Sequence, residues 1–166
     1  MYRSSDIIRF RFADPYLAGE KWADKPNCEK VVEIIINERE ILEYFREIEA
    51  TYRKEEGLDE EDGYSDYGHV SAKELYEDLH WIERENDYNK DDRAYLCCCG
   101  VCGMTGCWSV SIKTRTDKEH VYWYDFKHEH RVWDYNLQFC FEKGQYEAEM
   151  RHLKQVADSQ KRWRLK

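Results

Sequence analysis

The chain predicts an α+β fold, a single domain over residues 1–166 in which a small antiparallel sheet is flanked by about three helices. Three observations predict it. Short segments alternate apolar and polar residues with a period of two, as half-buried strands do. Longer segments carry apolar stripes at helical spacing. The two kinds are interspersed and include a hairpin pattern, which favours α+β over a doubly wound parallel sheet. A length of 166 residues suits one core, 42% hydrophobic and 15% aromatic residues can fill it, and two prolines and eight glycines leave little linker.

Ile8, Phe10 and Phe12 alternate with Arg9 and Arg11, which predicts a strand. Residues 13–29 read as a loop. The β-branched run Val31 to Ile36 predicts a more buried strand. Ile41, Phe45, Ile48 and Tyr52 then fall on one helical stripe, with Arg53 and Lys54 in the last turn and Gly57 as the stop. Residues 55–70 read as an exposed acidic loop. Ser71-Ala-Lys-Glu74 is a capping-box pattern, and Leu75, Leu79 and Ile82 continue the stripe of a second helix. Residues 85–93 are polar and loop-like. Ala94 to Cys98 predicts a strand entering a cysteine-rich turn. Trp108, Val110 and Ile112, alternating with Ser109 and Ser111, pair as a hairpin with residues 121–126 across a turn at Asp117-Lys118. A further strand falls at Leu137 to Phe141, and a helix from about Gln145 places Tyr146, Met150, Leu153 and Ala157 on one face.

The net charge of −9 disfavours nucleic acid and anionic membrane surfaces and suits docking on a basic protein partner. The charge is uneven. Residues 55–66 hold Glu55, Glu56, Asp59, Glu60, Glu61, Asp62 and Asp66 with no lysine or arginine, whereas the C-terminal segment is basic. No apolar run approaches a membrane span, and MYRSSDIIRFRF has no apolar stretch of signal-peptide type. The seven cysteines are odd in number and clustered, which points to a reducing cytoplasm with thiols free or metal-bound.

Cys97, Cys98, Cys99, Cys102 and Cys107 lie in the stretch LCCCGVCGMTGCW. Crowded thiolates need a soft cation, and zinc is the usual one. Cys99-x-x-Cys102-x4-Cys107 is a knuckle-like spacing whose short turn can direct backbone N–H groups at the sulfurs, with Gly100, Gly103 and Gly106 supplying freedom. It predicts a structural zinc held by Cys99, Cys102 and Cys107. Cys97, His128 or His130 is the candidate fourth ligand, and Cys140 a more distant one. Against this stands plain packing: cysteine is a small hydrophobe, and a strand reading YLCCC can bury alternate thiols. Cys28 and Cys140 read as packing residues.

His128-x-His130, between Asp125 and Asp134, also offers acid–base groups, so a Cys102 or Cys107 nucleophile with His128 or His130 as base defines an enzyme alternative. The sequence has no nucleophile elbow, phosphate loop or metalloprotease helix, and no catalytic residue is assigned. DEEDGYSD does not follow the EF-hand ligand ladder. The aromatic residues from Tyr122 to Phe141 read as core or as a protein-binding face rather than base-stacking platforms.

INEREILEYFREIEA, CGMTGCW and YWYDFKHEHRVWDYNLQFCFEKGQYEAEM together resemble a family of small bacterial proteins of unknown function. That family combines a strand ending in IN-G, a helix with R-E-x-E, a CGxxGCW turn, a WxDF segment, then WDY and QYE. The resemblance covers residues 31–57 and 95–153. Glu38 departs from it where the family tends to have glycine, and Cys97 and Cys98 have no place in the pattern. The resemblance implies a single domain of bacterial or phage origin, and no function carries over from it. The net charge of −9, the acidic run 55–66 and the missing catalytic motif give the functional expectation: a non-catalytic cytoplasmic binding protein, of immunity or inhibitor type, for a basic target.

Overall fold

Strand β1 (Ile8–Ala13) pairs antiparallel with β2 (Val31–Ile36), which turns tightly into β3 (Arg39–Glu40) and the first helix, α1 (Ile41–Glu55). A short strand β4 (Tyr67–Gly68) precedes α2 (Ala72–Arg84), and β5 (Ala94–Tyr95) and β6 (Cys98–Cys99) lead into the cysteine turn. Strands β7 (Val110–Thr116), β8 (His120–His128) and β9 (Phe139–Glu142) follow, then the terminal helix α3 (Lys143–Arg164). This computed structural model describes residues 4–24, 29–58, 66–84 and 92–164. The acidic run 59–65, most of the polar segment 85–93, and Cys28 lie outside the described residues.

The fold is α+β, as the sequence predicts, and among the described residues the strands divide into three antiparallel sheets ordered β1-β2-β3, β4-β6 and β5-β7-β8-β9. No helix among the described residues is long and apolar enough to cross a membrane.

The apolar patterns meet in one core. β1 contributes Ile8 and Phe10, β2 contributes Val32, Ile34 and Ile36, and α1 contributes Ile41, Leu42 and Phe45. Leu75 and Leu79 of α2 and Tyr146 and Leu153 of α3 close it. The helix signals act as read. The Ser71 hydroxyl accepts the Glu74 N–H at 3.1 Å, half of a capping box. Beyond α1, Leu58 N–H donates to Arg53 O and Gly57 N–H to Lys54 O, with Gly57 at φ 66°, a Schellman stop.

Two features go beyond the periodic patterns. The outer edge of β1 is covered by α3: Ile8 N–H donates to Gln145 Oε1 at 3.2 Å and Phe10 N–H to Glu149 Oε2 at 2.9 Å. Four residues of helix rise about 6 Å and two of strand about 6.8 Å, so i, i+4 acceptors match alternate strand donors. Ser109, just before β7, and Ser111 within it alternate with apolar residues, yet both are buried. Arg93 covers that face, its Nε donating to Ser111 Oγ at 2.8 Å, and the pairing with β8 is irregular between Ser111 and Lys113.

The β2–β3 turn has Asn37 at φ 53° and Glu38 at φ 66°. Both central residues are left-handed, the form a two-residue hairpin favours. Asparagine tolerates it; glutamate sets its Cβ against the carbonyl at a cost of about 1–2 kcal/mol. Glu38→Gly is expected to raise unfolding stability by about 1 kcal/mol in urea denaturation at an unchanged m-value. A loss of stability would refute this account of the turn.

Candidate metal centre

The cysteine turn is built on the β4–β6 pair, in which Tyr67 stands opposite Cys99 and Gly68 opposite Cys98. From there the chain folds back on itself. Gly103 N–H donates to Cys99 O at 2.9 Å, and Cys99 N–H donates to Met104 O at 3.1 Å. Gly103 adopts φ 75°, and a Cβ there would lie 2.9 Å from Trp22 Cγ, so both conformation and the indole packing require glycine. Gly106, by contrast, has open space around it.

This folding brings the ligand atoms of Cys99, Cys102 and Cys107 within 4.8 Å of one another, with Cys99 buried and Cys102 and Cys107 exposed. Sulfurs sharing a tetrahedral zinc at about 2.3 Å each stand about 3.8 Å apart, a closure within reach of exposed side-chain rotamers. The electrostatics favour anionic sulfur at the inner position. Burial raises the Cys99 pKa, but N–H groups of Cys102 and Val101, then the Cys107 and Cys102 thiols, outweigh it and hold Cys99 below the ordinary thiol value. Cys107 is pushed up to about 11, first by Cys99 and then by Cys102, because it serves as their proton donor. Three clustered sulfurs of this kind can hold a soft divalent cation.

The other expected ligands stand outside that group. Cys97 is fully buried, and its sulfur accepts the Val110 N–H at 3.4 Å. Burial raises its pKa well above the ordinary thiol value. Cys98 is raised by burial and by Glu20, and its thiol donates to His69 O at 3.5 Å. His128 is buried with its ring 4.2 Å from Trp108 and 5.0 Å from Trp133. Its Nδ1 accepts the His130 N–H at 3.0 Å, and burial, with His130 and Arg131 nearby, lowers its pKa to about 3. His130 is exposed, and its Nε2 lies 3.1 Å from Gly106 O, at the peptide just before Cys107. Among the described residues no imidazole nitrogen is hydrogen-bonded to a thiol.

One charged cluster beside the turn has no counterpart in the sequence reading. His69, directly after β4, sets Nδ1 2.6 Å from Glu20 and Nε2 against Glu40. Burial disfavours its charge, but the two carboxylates outweigh burial and raise its pKa to about 9. The same contact lowers Glu40, chiefly through the His69 hydrogen bond. No local spacing signals this cluster, because its members come from a loop, from β3 and from the residue after β4.

No family model matches this chain, and no curated protein or solved structure matches it. The motif resemblance therefore assigns no residue a role, and the chemistry rests on the geometry above.

The His69 cluster fixes a pH dependence. A histidine whose folded pKa exceeds its unfolded value of about 6.5 stabilises fully below that value and loses the contribution as pH rises through the folded pKa. Unfolding free energy is expected to fall by on the order of 2 kcal/mol between about pH 6.5 and the folded value of about 9. His69→Gln should flatten that part of the stability–pH profile. An unchanged profile would show that His69 is not the group titrating.

Proposed function

We propose that the chain is a non-catalytic binding protein for a basic protein target, with the cysteine turn stabilised by one structural zinc ion. Cys99, Cys102 and Cys107 hold the ion, and His130 is the fourth ligand. The observation that carries the metal reading is the convergence of three ligand atoms within 4.8 Å on a turn whose N–H groups favour anionic sulfur. His130 is chosen over the other candidates because it is exposed and lies against the peptide preceding Cys107. Cys97 and His128 are buried in other contacts. A closed four-ligand site is structural rather than catalytic.

The binding reading is supported by the net charge of −9 and by the acidic run in residues 55–66. The nucleophile alternative has less support. A thiolate needs an adjacent base, whereas His128, its pKa lowered to about 3, is a weak proton acceptor whose Nδ1 already takes the His130 N–H, and His130 Nε2 lies on Gly106 O rather than on a thiol.

Metal analysis of protein purified without added zinc is expected to find about one zinc per chain. At free zinc a thousandfold above Kd the ion should add about 4 kcal/mol of stability, which chelation removes. Cys102→Ser and Cys107→Ser should each abolish stoichiometric loading, and His130→Ala should weaken it. A metal-free protein whose melting temperature ignores zinc and chelator overturns the site.

Capture from host lysate should recover a basic partner whose retention falls with added salt and with charge reversal at Glu55, Glu56, Glu60 and Glu61. Recovery of no partner, or retention indifferent to both changes, overturns the binding reading.

A further inference from the structure

A recess of about 700 Å³ opens where α1, β8 and the loop before β9 meet. Its lining includes three carboxylates, Asp6, Asp125 and Asp134, and the rings of Tyr44 and Tyr124, but no lysine or arginine. Asp125 is balanced by Arg93 at 2.8 Å. Asp6 and Asp134 have no cationic partner among the described residues. Asp6 is fixed by its contacts: Oδ1 accepts from Asn37 Nδ2 at 2.9 Å and Oδ2 from Cys140 N–H at 2.8 Å. Asp134 Oδ1 accepts the Asn136 N–H at 3.0 Å, and its other oxygen has no hydrogen-bond partner among the described residues. The recess thus combines uncompensated negative charge, a free carboxylate oxygen and aromatic walls.

Those features select a flat, delocalised cation. A guanidinium can lay its fork on a carboxylate and its face on a ring, whereas an ammonium is a strongly hydrated point charge. The rim already shows both contacts with the chain's own arginines. The Arg39 guanidinium lies 4.6 Å from the centre of the Tyr44 ring, and Arg93 Nη1 donates to Asp125 Oδ2. We propose that this recess receives an arginine side chain of the protein partner, with Asp134 as its carboxylate and Tyr124 as the stacking wall. The inference rests on the binding-protein reading and names its recognition site. It does not depend on the metal, so a zinc-free chain that still binds arginine would remove the zinc reading alone.

The test uses the intact chain, labelled for amide NMR, and acetyl-Gly-Arg-Gly amide as probe. Saturable shifts are expected at Tyr124 to Phe126 and at Asn136 to Phe139. The citrulline peptide, which keeps the shape and loses the charge, should bind at least about tenfold more weakly. Asp134→Asn keeps an oxygen for the Asn136 N–H and should weaken the arginine peptide about tenfold, while Asp134→Glu should retain most of the binding. Equal binding of the citrulline peptide overturns the proposal, as do shifts confined to other surfaces or no response. A disaccharide that binds there and is unaffected by Asp134→Asn overturns it as well, since the recess would then be a sugar site. If the peptide binds as expected while lysate capture recovers no basic partner, the recess stands and the choice of partner falls.

Discussion

A buried carboxylate holds the centre of this molecule. Glu49 is wholly inaccessible and accepts from Tyr67 Oη at 2.6 Å, Tyr135 Oη at 2.9 Å and Arg53 Nη2 at 3.0 Å. Burial alone drives its pKa upward, and the three donors oppose that shift. Such a group is tolerable only while each donor stays in place, because an uncompensated buried charge costs several kcal/mol. The three donors come from α1 itself, from β4 and from the segment before β9. Phe45, one turn earlier on α1, packs edge-on against Tyr67, Phe126 and Tyr135 at 6.2, 6.0 and 5.7 Å. The aromatic cluster therefore fixes the same three pieces of chain as the polar knot and adds β8 through Phe126. Tyr67 is also the register partner of Cys99, so the position of the cysteine turn follows from the Glu49 contact.

A second knot joins the other half. Tyr146 of α3 accepts from Trp123 Nε1 at 3.2 Å and donates to Glu83 of α2 at 2.9 Å. Gln145 beside it takes the Ile8 N–H, which closes the edge of the first sheet. Placed on the structure, the motif residues sort onto these two knots. R-E-x-E ends at Glu49, WDY ends at Tyr135, WxDF begins at Trp123, and QYE carries Gln145 and Tyr146. In this chain these residues are polar groups that meet inside the core and satisfy one another there.

This division accounts for what the sequence made legible. Elements with a sustained period were readable: the α1 stripe with its Gly57 stop, the Ser71 cap, β1 and β2, and the β7–β8 hairpin. The terminal helix begins at Lys143, two residues before the expected start, where periodicity is weakest. Contacts that depend on distant segments were not readable. A two-residue strand has no period, so the β4–β6 pair that places Cys99 gave no signal. Neither did the Glu20–His69–Glu40 cluster. The knuckle spacing identified three sulfurs that converge, because a tight turn is a local object. Its fourth partner depends on tertiary approach, which spacing cannot encode.

The same distinction bears on what a metal would do here. Small zinc domains unfold without their ion because they lack a sufficient core. The described residues have a continuous core drawn from α1, α2, α3 and each of the sheets described. Its cysteine turn has supports independent of metal: the β4–β6 pair, the Gly100 N–H bond to Asp66 O at 3.0 Å, and the Trp22 indole against Gly103. An ion at Cys99, Cys102 and Cys107 would therefore order residues 100–107 rather than the whole fold. Val101 and Met104, both exposed on that turn, would change their presentation with metal occupancy. The Glu49 knot beneath would stay intact, because none of its donors belongs to the turn.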